Sequence, residues 1–180
     1  MANTFELISS VTVGAGGAAS IDFTSIPSTY TDLCVKMSSR SSFSTTVEDY
    51  VMLYFNNNTS GYTSRRLYGT GSGTGSDTLS NKAGGSAGSR ILAGATSADQ
   101  STTNTFGNFE IYIPNYAGSS YKSTSSEGVS ENNATSATVL MDAGLWSNTA
   151  AINQITFDLY FSGSTFKQYS TAYLYGVKNA

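Results

Sequence analysis

The stretch Phe106-Gly-Asn-Phe-Glu-Ile-Tyr-Ile-Pro-Asn-Tyr116 constrains the fold more than any other part of this chain. Phe109, Ile111 and Ile113 fall on one face of an extended segment, and Glu110 and Tyr112 fall on the other. Pro114 has no N–H to give to a ladder, so regular pairing stops there. Three apolar side chains at period two need a second layer over them. The sequence supplies more segments of the same kind and no convincing amphipathic helix, so the covering layer is a second sheet.

The alternation recurs along the chain. Phe5 and Leu7 share a face in a strand over 4–13, which ends before the turn Gly14-Ala-Gly-Gly17. Ile21 and Phe23 point inward, Asp22 points outward, and Pro27 ends that strand. Leu33, Val35 and Met37 oppose Asp32, Cys34 and Lys36; a polar connection fills 38–48; then Val51, Leu53 and Phe55 oppose Met52 and Tyr54. Asn56-Asn-Asn-Thr-Ser-Gly61 tolerates left-handed backbone, so 50–55 and 62–68 read as the two arms of a hairpin. Residues 122–131 read as a Ser-rich strand at a sheet edge or against another subunit. In 135–145, Val139 and Met141 face away from Leu140, which suits a central strand covered on both faces. The most regular strand is 153–161, where a one-residue slip would bury Asp158, and 166–177 closes a final hairpin with it. Trp146 is expected as a core plug.

The expected architecture is therefore all-β: one antiparallel β-sandwich domain over 1–180, jelly-roll-like. The Gly/Ser-rich segment 69–103 is read as a long surface arm, with only Arg90-Ile-Leu-Ala93 resembling a strand. A chain of 180 residues can bury a real core without metals or disulfides.

Composition narrows the chemistry. A net charge of −3 and a pI near 4.7, with no basic cluster, are the wrong footprint for nucleic acid. Lys36, Arg40 and the doublet Arg65-Arg66 read as solvated strand ends. With no histidine, Ser-His-Asp hydrolysis and His-ligated zinc are excluded within the chain, and the single Cys34 reads as a small buried side chain. Glu48-Asp49, Glu127 and Glu131 read as solvated edges rather than calcium ligands. A glycan-cleaving carboxylate pair finds no support, since Glu110, Glu127 and Asp158 look like outward residues of different strands. No cofactor, metal or catalytic residue is assigned, and the chain is expected not to be an enzyme. No leader peptide and no apolar run of membrane-spanning length is apparent, so no membrane is expected as a partner. The sequons at Asn57, Asn58 and Asn133 read as chance products of an Asn- and Thr-rich chain. Tyrosine is abundant, and Tyr62, Tyr68, Tyr116 and Tyr121 beside expected turns, with Trp146, are candidate contact residues; cross-strand packing on the sheet is the alternative for the tyrosines.

Several segments together carry a resemblance. Phe5-Glu-Leu-Ile-Ser-Ser-Val-Thr-Val-Gly14, Ala18-Ala-Ser-Ile-Asp-Phe-Thr-Ser-Ile-Pro27 and Tyr30-Thr-Asp-Leu33 resemble the N-terminal pattern of small virion proteins of tailed bacteriophages, notably phages of cyanobacteria and marine bacteria. Asn104-Thr-Phe-Gly-Asn108, Glu110-Ile-Tyr-Ile-Pro-Asn-Tyr116, Glu131-Asn-Asn-Ala-Thr135, Gly144-Leu-Trp-Ser-Asn-Thr149 and Tyr169-Ser-Thr-Ala-Tyr-Leu-Tyr-Gly176 are similar to segments of the same group. The resemblance implies a virion structural protein made in the host cytoplasm, a cement or decoration protein on the capsid surface. Its expected partners are the major capsid protein and copies of itself, with a trimer favoured. The alternative is a tail-fibre or receptor-binding module that contacts host surface glycans.

Overall fold

The period-two pattern emerges as strands that pair only antiparallel. The computed structural model describes residues 4–133 and 137–178. Its strands are β1 (Phe5–Thr12), β2 (Ser20–Phe23), β3 (Asp32–Ser39), β4 (Glu48–Phe55), β5 (Tyr62–Gly69) and β6 (Thr74–Asp77), followed by β7 (Ile91–Ser97), β8 (Gly107–Ile113), β9 (Lys122–Ser130), β10 (Thr138–Trp146), β11 (Ile155–Leu159) and β12 (Thr171–Val177). They form an eight-stranded sheet, β1-β12-β3-β8-β9-β10-β5-β6, and a four-stranded sheet, β2-β11-β4-β7. The fold is an all-β sandwich. Its core lies between the inner residues of β3, β8 and β12 on one side and of β2, β4 and β11 on the other: Leu33, Val35, Ile111, Ile113 and Leu174 against Ile21, Phe23, Val51, Leu53 and Phe157. Residues 134–136, which include part of the Asn133 sequon and the expected start of the 135–145 strand, lie outside the described residues, as do the chain ends.

Alternation located the strands and their inner faces but not their partners. Residues 50–55 and 62–68 do not form a hairpin. Both flanks of β4 are taken by β11 and β7, so the chain crosses to the large sheet and β5 pairs with β10. Asn56, Asn57 and Gly61, all at positive φ, turn the chain there. The crossing is plugged by Phe55, Tyr62 and Trp146. The Tyr62 and Trp146 rings stack 5.9 Å apart, Trp146 lies 5.5 Å from Phe55, and the Tyr62 hydroxyl accepts the Phe55 N–H at 2.8 Å. The closing hairpin is likewise absent, because β11 belongs to the small sheet and β12 to the large one.

The segment 69–103 is not simply an arm. It carries β6 at the rim of the large sheet and β7, buried along its whole length. From 78 to 90 the chain lies over the outer face of the small sheet. There the Ala83 N–H donates to the Tyr160 carbonyl, while Lys82 and Arg90 pair with Asp158 at 3.2 and 3.1 Å. Asp158, expected in water, is therefore buried, because its face of β11 has a cover. Nor is β9 an edge: it lies between β8 and β10. Its inward residues, Lys122, Thr124, Ser126, Gly128 and Ser130, are small or polar, which hid its central position from the hydrophobic pattern. Lys122 is fully buried, and its ammonium donates to the Gly118 and Ser120 carbonyls, closing the turn before β9.

Small inward residues set how near the sheets come. β7 packs across β8, β9 and β10, and a Cβ added at Gly107 would stand 2.6 Å from the Ala95 carbonyl oxygen and 2.8 Å from the Thr96 Cα. Backbone atoms of a buried strand cannot step aside for a methyl group. Gly107→Ala is accordingly expected to destabilise the fold by about 1–3 kcal/mol, the usual range for overpacking, read as a lowered midpoint in urea with an unchanged slope; an unchanged midpoint contradicts this packing.

Candidate functional site

The register of the large sheet aligns its outward residues in rows. One row runs Tyr173, Lys36, Glu110, Glu127, Met141 and Leu67 across six strands. The neighbouring row places Val129 beside Val139. The small sheet packs on the inner face of this sheet, and among the described residues no strand lies over the outer face. Leu67, Met141 and Val139 remain 63%, 61% and 54% exposed on β5 and β10, towards the β6 side of the large sheet. Strand β10 is central, as its sequence suggested, but it is covered on one face only. Over Val139 and Met141 and towards β12 lies a shallow groove of about 740 Å³, bordered by Lys36, Glu110, Glu127 and Tyr173, while Leu67 lines an adjoining hollow.

The polar border has a definite charge order. Lys36 pairs with Glu110 at 2.9 Å, and that carboxylate holds the ammonium above its ordinary pKa range. Glu110 and Glu127 are direct cross-strand partners, contrary to the expectation that they diverge. Like charges placed opposite each other repel, and no ion pair reaches Glu127 among the described residues. Both stand on an open sheet face. Cys34 is flanked in its own outward row by Tyr175 and Tyr112 and is buried there, as expected. Burial, and next the nearby Glu110 charge, push its thiol up to about 12, so it carries no nucleophilic thiolate at neutral pH. A second aromatic margin lies at the β1 end. Phe5 and Leu7 point outward and are half exposed, while Ile8 and Val11 pack on the core, since the ladder shifts register between Leu7 and Ser9.

Of the candidate contact residues, Tyr62, Tyr116 and Trp146 are buried and cannot touch a partner in this fold. Large rings beside turns sit at the ends of strands, where they close the sandwich. The Tyr116 hydroxyl, for instance, donates to the Pro27 carbonyl. Tyr68 is half buried beneath Arg66, and Tyr121 is exposed. The exposed strip itself was legible as outward apolar positions on 135–145, but its exposure was not. Among the described residues no group of three or more acidic, Cys or His side chains could hold a metal, and no helix is long and apolar enough to cross a membrane.

Charges expected in water lie instead between the sheets. Arg40 is buried and bonds to backbone carbonyls, and Arg66 is wedged between the Tyr50 and Tyr68 rings while binding Asp77 through both carboxylate oxygens at 2.6 and 2.9 Å. The Glu48-Asp49 doublet is drawn inward, Glu48 accepting from the Thr138 hydroxyl and Asp49 from Ser41, both at 2.7 Å, and burial raises both acids. Asp142, 4% exposed and paired across strands with Arg66, accepts from the Ser64 hydroxyl at 2.6 Å. Its other carboxylate oxygen has no partner among the described residues, and burial pushes its acid up to about 7 against the opposing pull of Ser64 and Arg66. These acids couple stability to pH. A carboxyl raised in the folded state holds its proton more tightly than the unfolded chain does, so the stabilisation is complete below the ordinary Asp range and is lost as pH rises through about 7. The thermal midpoint is expected to be higher at about pH 5 than at about pH 8, and Asp142→Asn to flatten that slope; a midpoint that rises with pH over the same interval contradicts the assignment.

No protein-family model matches the chain, and no curated protein matches it significantly.

Proposed function

We propose that this chain is a structural protein of a bacteriophage particle, a cement or decoration protein on the capsid surface that binds the major capsid protein and copies of itself. The observation that carries the reading is the uncovered apolar strip of Val129, Val139, Met141 and Leu67 in the interior of the eight-stranded sheet. Single exposed apolar residues are ordinary, but a contiguous strip across three neighbouring strands leaves apolar area in water at about 25 cal/mol per Å². Covering that strip supplies the driving force for docking. Glu127, unpaired at its border, suits a lysine or arginine on the rim of the partner surface. The segments that resemble tailed-phage virion proteins support the particle as the setting, and the jelly-roll-like description belongs to the same reading.

The mechanism is mechanical. A molecule seated across two shell subunits adds interface that must break before the shell swells or leaks, and tethering through more than one contact multiplies the effect. Val139 and Met141 stand in water, and Met141 faces Glu127 across the ladder, so the uncharged double variant Val139→Thr, Met141→Gln, which adds no like charge there, is expected to shift folding stability by no more than about 0.5 kcal/mol per site. Its co-sedimentation with particles stripped of the protein is expected to fall roughly tenfold or more. Particles lacking the protein are expected to release their genome at a lower temperature, measured by dye uptake on heating. Undiminished co-sedimentation of the double variant, or an unchanged release temperature, overturns the reading.

A further inference from the structure

We infer that a second binding site, for a neutral sugar ring, lies where four loops converge beside Tyr169. It is independent of the shell-binding reading, since none of its lining residues borders the groove on the large sheet. Residues from 15–17, 40–42, 99–106 and 165–169 surround a hollow of about 460 Å³ with both polar and apolar lining. Its floor is fixed by Arg40, whose buried guanidinium donates to the Ser101, Thr102 and Thr105 carbonyls at 3.1, 2.9 and 2.9 Å. On the opposite wall the Lys167 N–H donates to the Arg40 carbonyl at 2.8 Å, and the Lys167 ammonium pairs with Asp99. The cations are committed to carbonyls and to a carboxylate, which disfavours a ligand chosen by its charge.

Tyr169 marks the place. The Ser170 N–H closes a four-residue turn on the Lys167 carbonyl at 3.1 Å, and Tyr169, third in that turn, has φ 72°. A turn with positive φ at its third residue normally takes glycine or asparagine there, because a larger side chain is strained. Every other non-glycine residue with positive φ among the described residues is an asparagine or a serine. The tyrosine is also 68% exposed, so the packing it gains inside the fold is too small to offset the strain. A strained aromatic that does little for its own fold is placed for something outside it.

The groups around it fit one kind of ligand. Thr103, Asn104 and Gln168 line the hollow, and their side chains make no hydrogen bond among the described residues. Asn104 is itself held at φ 65° on the facing loop. Amides offer a donor and an acceptor side by side, which matches adjacent hydroxyls, and an aromatic face packs against the C–H face of a pyranose. A ring platform bordered by unspent amides in a preformed hollow is the arrangement that takes a neutral saccharide.

Saturation-transfer NMR on the full chain with methyl β-glucoside, methyl β-galactoside, methyl α-mannoside and N-acetylglucosamine, each at millimolar concentration, is expected to show transfer to at least one of them. Tyr169→Gly relaxes the turn while removing the platform, so its thermal midpoint is expected to hold or rise and the transfer to fall roughly fivefold or more. Asn104→Ala with Gln168→Ala is expected to weaken transfer as well. Absence of transfer to all four sugars overturns the inference, and so does undiminished transfer in either variant. A midpoint that falls in Tyr169→Gly also overturns it, because the tyrosine would then be held in place by internal packing.

Discussion

How closely β7 can lie against the large sheet decides the rest of the arrangement. Stacked sheets ordinarily stand about 10 Å apart with interdigitated side chains between them. Beneath β7 the interface is instead made of Gly107, Gly128, Gly144 and the short side chains of β9, so the backbones come nearer there than at the aliphatic end. Several of the polar groups brought inside by this approach pair across the gap, although the Ser126 hydroxyl has no partner among the described residues. The Ser39 hydroxyl donates to Thr96 at 2.9 Å, and the Ser97 and Ser130 hydroxyls meet at 3.3 Å. One half of the sandwich is thus held by Leu, Ile, Val and Phe packing, and the other by close backbone approach and a few hydroxyl pairs.

That division explains which parts of the fold the sequence exposed to view. Where burial is aliphatic, as in Ile21 and Phe23, Leu33 to Met37, Val51 to Phe55, and Phe109 to Ile113, the alternation gave strand, face and termination together. Where burial rests on small residues, the signal vanished. β7 reads Ile-Leu-Ala-Gly-Ala-Thr-Ser and sits inside a Gly/Ser-rich tract, so only its first residues stood out, and β9 carries no apolar inward residue at all. Partner choice was illegible for a different reason. A turn such as 56–61 is compatible with a hairpin or with a crossing between sheets, and the decision is made by β11 and β7, distant in sequence, occupying both flanks of β4. The outer-face strip was half legible. Val139 and Met141 were placed on the face opposite Leu140, but apolar residues facing away from one sheet imply a cover only if the chain has a third layer to provide it. Here the third layer, 78–90, goes to the small sheet and buries Asp158 instead.

The molecule consequently carries charge inside and apolar area outside in places where small soluble domains usually have the reverse. Arg40, Arg66, Asp49, Lys122, Asp142 and Asp158 are wholly or largely removed from water, and each fastens something specific. Arg40 holds the 99–105 loop, Arg66 ties the edge strand β6 to β5 through Asp77, and Lys122 closes the turn before β9. Groups of this kind are costly to bury unless fully bonded. Most of their polar atoms are bonded; among the described residues Arg66 Nη1 is left without a partner, and so is one oxygen each on Glu48 and Asp142, acids that burial drives towards the neutral form.

The same allocation governs how the exterior meets other surfaces. With only 12% of its residues charged and several of those charges spent on internal fastening, the exterior is mainly hydroxyl, amide, aromatic and aliphatic. Such a surface has a weak long-range field, so copies can lie side by side without the repulsion that a strongly charged domain would meet. It also forgoes the electrostatic steering that speeds encounter between freely diffusing partners. Short-range fit must therefore carry its associations. That is a poor design for fast, transient exchange, and under the function proposed above it suits a component that is concentrated on a lattice and stays where it lands.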